Sequence, residues 1–109
     1  MMDEQVLDQV LLDLKDRLRI TWNEEDEYLK KLIKRAETYL SEMTNASFDF
    51  VNEECPKELL LERCRYVYNN AADEFETNFH AELSRLILAV AIGRVGVIRA
   101  SEDVSGDVQ

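Results

Sequence analysis

Apolar residues recur along this chain at helical spacing. Over residues 3–18, Val6, Leu7, Val10, Leu11, Leu14 and Leu18 fall on one arc at about 100° per residue, while Asp8, Lys15 and Asp16 point away. The spacing predicts an amphipathic helix, with Leu12 outside its buried arc as a candidate contact with another chain. A second helix is expected from Thr21, because Thr21-Trp22-Asn23-Glu24 has the form of a capping box and Glu24, Glu25, Asp26 and Glu27 set negative charge against the positive end of the helix dipole. Leu29, Leu32, Ile33, Ala36, Leu40 and Met43 form its apolar face, with Tyr28 and Tyr39 along one edge. Asp26 with Lys30 and Glu27 with Lys31 stand at i,i+4 in the favourable orientation.

Helical periodicity is lost over residues 44–55, where Phe48, Phe50 and Val51 lie between polar residues. This predicts a loop with a short extended piece. Its two Phe rings either fold back onto their own core or enter a neighbouring subunit. Pro56 suits the first turn of a third helix, since its missing N–H is not needed there. The main face of that helix is Leu60, Cys64, Val67, Tyr68, Ala71 and Phe75; Leu59 and Tyr66 make a second apolar spot almost opposite, natural in an assembly.

A fourth helix is drawn from Asn78 through Phe79, Leu83, Leu86, Ile87 and Val90, with no Gly or Pro to mark its boundary with the third. The run at positions 86–92 is apolar all round and must be covered on every side, either as a central core helix or partly by another chain. Gly93 is placed to end it. Beyond it, Arg94-Val95-Gly96-Val97-Ile98-Arg99 is β-prone, and such a tail suits addition to a partner's sheet edge. The expectation is an all-α fold, a small bundle of about four helices over residues 1–93, with an extended C-terminal tail at 94–109.

Composition narrows the chemistry. The chain has 109 residues, 13 Lys+Arg against 23 Asp+Glu for a net charge of −10, one His, two Cys, one Pro and three Gly. That length suits one domain burying about two-thirds of its unfolded surface. Cys-x-x-Cys, Gly-rich phosphate loops and Gly-x-Ser-x-Gly are missing, so no catalytic residue, cofactor site or metal site is assigned. The acidic run 24–27 lacks the alternate oxygens and central Gly of a calcium loop. Carboxylate pairs such as Glu58 with Glu62, or Asp73 with Glu76, have spacings common on any helix surface. His80 has no ligand partners at useful spacing. Lys30, Lys31, Lys34 and Arg35 form a basic set, read first as a solvated face.

Net acidity disfavours simple wrapping of nucleic acid. There is no apolar run of about 20 residues, and MMDEQVLDQ is acidic where a signal peptide is basic, so the expectation is a product of the cytoplasm with reduced cysteines and no membrane partner. Cys64 reads as a small core residue rather than half of a disulfide. An alternative consistent with the charge is an acidic DNA mimic or small regulatory protein that binds a basic partner.

The stretch Leu14-Lys15-Asp16-Arg17-Leu18-Arg19-Ile20-Thr21, with Glu24-Glu25-Asp26-Glu27 and Leu29-x-x-Leu32-Ile33-x-x-Ala36-x-x-Tyr39-Leu40, resembles the tailed-phage head–tail connector proteins. These are small adaptor or head-completion proteins, the group of the Bacillus phage adaptor and the gp6-like connectors. Leu60-Leu61-Glu62-Arg63-Cys64-Arg65-Tyr66-Val67-Tyr68-Asn69-Asn70, with Asp73-Glu74-Phe75-Glu76 and Asn78-Phe79, looks like the second half of the same family. The resemblance spans about residues 11–88.

It implies a structural, non-enzymatic adaptor that forms a ring of roughly twelve subunits under the portal after DNA packaging. The ring would join the portal to a stopper or tail-completion protein at the head–tail junction of the virion, after synthesis in the bacterial host's cytoplasm. DNA would pass through the channel without sequence-specific binding, and an acidic wall gives it little counterion release to gain. On this reading the candidate subunit and partner contacts are Leu12, Phe48, Phe50, Leu59, Tyr66, Arg94, Val95, Val97, Ile98 and Arg99, with Val95, Val97 and Ile98 at the portal.

Overall fold

The computed structural model describes residues 2–93 and 97–98. Among these the chain forms five helices, α1 (Glu4–Leu18), α2 (Asp26–Thr44), α3 (Glu54–Tyr68), α4 (Ala72–Asn78) and α5 (His80–Ala91). Two short strands, β1 (Ser47–Phe48) and β2 (Val97–Ile98), pair antiparallel. The fold is all-α, as expected, with one division more than four helices.

The core is assembled from the predicted faces. Leu7, Val10, Leu11 and Leu14 of α1 meet Leu29, Leu32, Ile33, Ala36 and Leu40 of α2 and Leu59, Leu60, Leu61 and Cys64 of α3. α2 and α3 form the central pair, and α1 and α5 each pack on both of them. Val6, Leu18 and Met43, also placed on the predicted arcs, are partly buried at the edge of this core.

Each long helix ends in a left-handed residue. Arg19 (φ 60°) closes α1, and the next N–H, from Ile20, reaches back to the Lys15 carbonyl at 2.8 Å. Asn45 (φ 57°) closes α2, with the Ala46 N–H donating to the Ser41 carbonyl at 3.3 Å. Asn70 (φ 59°) follows α3, with the Ala71 N–H on the Tyr66 carbonyl at 2.7 Å. Gly93 (φ 76°) follows α5 in the same region, as its position in the sequence predicts.

Several local expectations are corrected. Thr21 does not cap α2. The helix begins at Asp26 after Glu25, with no side-chain cap, so Glu24 lies outside it and only Asp26 and Glu27 sit in the first turn. The Asp26 carboxylate is taken by Lys15 at 2.7 Å instead of Lys30. Lys30 lies 3.8 Å from both Asp8 and Glu27, and no Glu27–Lys31 pair forms. The third helix does not run on to Phe75. It stops at Tyr68, the left-handed Asn70 turns the chain, and Phe75 belongs to the short α4. The extended piece of the 44–55 loop is β1, and its partner β2 comes from this same chain.

Candidate assembly surfaces

Three ionic clasps fix how the helices present their outer faces. Arg17 on α1 donates to Glu62 at 2.7 Å and to both oxygens of Glu58 at 2.9 and 3.0 Å, and Arg65 holds Glu62 from the other side at 2.8 Å. Burial alone would raise the Glu62 pKa, but hydrogen bonds from Arg65 and Arg17 outweigh it and hold the carboxyl below its usual range. The hydrogen bonds that Arg17 donates to Glu58 and Glu62 outweigh its own burial and raise its pKa. The Glu58–Glu62 pair is thus a bridge between α1 and α3. Lys57 meets Asp13 at 2.6 Å across the same two helices.

Lys15, almost fully covered, donates to Asn23 and Asp26, each at 2.7 Å, and so ties the turn after α1 to the start of α2. Glu25 accepts from the Trp22 indole at 2.8 Å and from the Tyr68 hydroxyl at 3.1 Å, which orients the half-exposed Trp22 ring.

On the other side of α3 an aromatic cluster seats the C-terminal helices. Phe75 and Phe79 stack at 5.0 Å, Tyr66 meets both edge-on at 5.7 and 5.6 Å, and Tyr39 meets Phe75 at 6.0 Å. The Arg63 guanidinium lies 4.1 Å over the Tyr39 ring. Tyr39 donates to Glu76 at 2.6 Å, and burial followed by that bond pushes its pKa well up. Glu76 of the Asp73–Glu76 spacing is therefore held by Tyr39.

The contact residues named from the sequence divide. Leu12 is 68% exposed on the outer side of α1. Phe48, Phe50 and Leu59 are buried in this chain's own core, with the two Phe rings edge to face at 5.9 Å. In this chain their side chains are packed inward, not presented at its surface. Tyr66 is half-buried, its ring in the aromatic cluster and its hydroxyl accepting from Asn78 at 3.0 Å. The second apolar spot on the third helix is thus covered from within. Val97 and Ile98 form β2, in register with Phe48 and Ser47, while Arg94, Val95 and Arg99 lie outside the described residues.

The surface that site assignment from the sequence left out is the outer side of α5. Leu83 and Leu86 are buried, but Ile87 is 41% exposed and Leu88 and Ile92 are each 59% exposed. The helix is not central, so the all-round apolar run is only half covered by this chain. The unbroken run 86–92 was the signal, and its consequence depended on where the helix sits. Trp22, Tyr28 and Val51 are further large apolar side chains at the surface. On α2, Lys31, Lys34 and Arg35 are exposed and carry no ion pair among the described residues.

Both cysteines are free thiols, Cys64 buried and Cys55 exposed. Burial pushes the Cys64 thiol up to about 12. Among the described residues no group of three His, Cys, Asp or Glu is arranged to hold a metal ion, and no helix is long and apolar enough to cross a membrane.

Comparison with known proteins gives a family model, phage gp6-like head-tail connector protein, that matches residues 8–92. Neither the curated proteins nor the solved structures gave a match. The matched stretch takes in most of α1 and all of α2 to α5, and is wider than the resemblance visible at residues 11–88. The chain belongs to the phage gp6-like head-tail connector family.

Proposed function

We propose that this protein is the adaptor of a tailed-phage or prophage connector, a homo-oligomeric ring of about twelve subunits that docks under the portal after packaging and receives the stopper or tail-completion protein. It catalyses no reaction and needs no cofactor. The observation that carries the reading is the open apolar side of α5 at Ile87, Leu88 and Ile92, in a chain whose family is one of structural connectors. A contiguous apolar strip on a small acidic protein marks a surface that is covered in its working state.

The net charge of −10 suits a channel component, because DNA moving past carboxylates gains little from counterion release and does not stick. The tail at 94–109 is proposed as the portal-docking segment, with Arg94, Val95 and Arg99 beside the strand residues Val97 and Ile98. The alternative of an acidic DNA mimic draws less support. Such a protein needs an uninterrupted row of carboxylates, and here Asp13, Asp26, Glu58 and Glu62 are each matched by Lys or Arg.

Native mass spectrometry of the protein, alone and with the portal protein of the same genome, tests the reading. A stoichiometric complex on assembled portal is expected. A chain that stays monomeric and ignores assembled portal overturns it.

A further inference from the structure

A closed ring of more than two identical subunits needs two different faces on each subunit that fit one another. Two separate surface features are candidates for such faces. On α5, Ala81, Ser84, Leu88 and Ala91 follow one another at intervals of three and four residues, all exposed, with Ile87 and Ile92 at the edges of the stripe. This is the seam spacing by which one helix accepts another, and its Ala and Ser allow close backbone approach. No charged residue interrupts it. Glu82 and Arg85, 3.8 Å apart, stand beside it.

The second face lies where α1 ends. A groove of about 340 Å³ is lined there by Leu12, Asp16, Arg19, Ile20 and Thr21 together with Lys15 and Asn23, and Leu12 is its exposed apolar residue. Asp16 and Arg19 are exposed and make no ion pair among the described residues. α1 and α5 both pack on α2 and α3 but hardly touch one another, so the seam and the groove are carried by separate helices. With Lys15 of the groove wall taken up by Asn23 and Asp26, each face has one acid and one base beside its apolar residues that no other helix engages, Glu82 and Arg85 on the seam and Asp16 and Arg19 in the groove. The chain's own terminus is a poor cover, because residues 99–109 (RASEDVSGDVQ) hold only Val104 and Val108 as large apolar side chains.

We propose that a second copy of this chain covers the seam: α5 of one subunit seats along the Leu12 groove of the next, with Arg85 opposite Asp16 and Glu82 opposite Arg19. The contact is heterologous and repeats around the ring. It rests on the adaptor reading and names the surfaces that reading needs.

The test pairs cysteines across the contact. In a Cys55→Ala background, the chain carrying both Leu12→Cys and Leu88→Cys is assembled on portal and mildly oxidised, and denaturing gels should show a ladder of covalent multimers. Chains with only one of the two cysteines should stay monomeric on the same gels. Because Leu88 is exposed, Leu88→Glu should keep its helical circular dichroism yet lose more than about tenfold in ring occupancy on portal.

Covalent dimers from Leu88→Cys alone would mean that α5 meets α5, and would overturn the proposal. So would a wild-type ring on portal accompanied by no 12–88 ladder and by normal assembly of Leu88→Glu, although the adaptor reading would then stand. A wild-type chain that neither oligomerises nor binds portal overturns both.

Discussion

The Arg17 guanidinium on α1 lies 2.7 Å from the Glu62 carboxylate on α3, 45 positions along the chain, and the contact ties α1 to the central pair. Both side chains are mostly covered, Glu62 more so than Arg17. Such a pair falls between the exposed bridge worth about 0.2–1 kcal/mol and the buried one whose disruption costs about 3–5 kcal/mol.

Arg17→Gln should therefore lower unfolding free energy by about 1–2 kcal/mol at neutral pH, read from urea denaturation. The Glu62 pKa is depressed in the folded chain below its ordinary value near 4.5, so the stabilisation is present above that pH and is lost as pH falls through the folded value. The gap between wild type and Arg17→Gln should accordingly narrow in acid. A gap that stays constant down to pH 3 would show that Arg17 acts through packing of its stem rather than through this carboxylate.

Arg19 is held at φ 60° to close α1, a conformation that costs a residue with a Cβ about 1 kcal/mol relative to Gly. Its side chain is exposed and takes no part in the core. Arg19→Gly should raise the thermal midpoint, with the gain reduced by the freer unfolded chain. On the proposed interface the same substitution should weaken assembly, since it removes the base at the groove. A variant more stable as a monomer but poorer in ring formation would separate the two roles of this residue.

The two thiols should behave differently. Cys55 is exposed and should react with a thiol reagent in the native protein, whereas Cys64 should react only on unfolding. With its thiol raised from about 9 to about 12 by burial, Cys64 keeps its proton in the folded chain while the unfolded chain ionises. Its contribution is complete below pH 9 and is lost as pH rises from 9 towards 12. By pH 10 this should cost about 1 kcal/mol that Cys64→Ala does not lose, measured as the difference in urea-derived stability between pH 8 and pH 10. Equal losses in both proteins would place the alkaline sensitivity elsewhere, with Tyr39 the next group to examine.

Much of the fold was legible because one signal, apolar spacing, decided it. Leu7, Val10, Leu11 and Leu14, or Leu29, Leu32, Ile33, Ala36 and Leu40, can be buried together on one side only as helices, and they are. Local signals were weaker where tertiary contacts compete. The capping-box pattern at Thr21 lost to the Lys15 ammonium, which draws Asn23 and Asp26 together and starts α2 later. The break after Tyr68 depends on Asn69-Asn70, residues tolerant of a left-handed turn but not diagnostic of one.

The surface was read less well than the core, for a physical reason. Periodicity tells which residues share a face but not which neighbour covers it. Tyr66 looked surplus because the cover it receives comes from Phe75 and Phe79 across the α3–α4 turn, and Leu59 because it joins a core assembled from helices distant in sequence. Phe48 and Phe50 were open to two readings, and the inward one holds in this fold. Ile87 and Leu88 were also open to two readings, a central helix or one partly coated by another chain, and in this chain both side chains are exposed.

The C-terminal segment provides the last prediction. β2 pairs with β1 at Ser47↔Ile98 and Phe48↔Val97, whereas the helical core is complete by Gly93. Removing residues 94–109 should thus leave the helical circular dichroism nearly unchanged while abolishing docking on portal-bearing heads, measured by co-sedimentation. Removing only 99–109 leaves β2 in place and separates two origins of that effect. Docking lost in both truncations would assign portal recognition to the polar end and Arg99. Docking lost only in the longer truncation would assign it to Arg94, Val95 and the strand itself. Docking kept in both would remove the tail from the portal contact and leave that role to the helical body, where the exposed Lys31, Lys34 and Arg35 of α2 are the next surface to mutate.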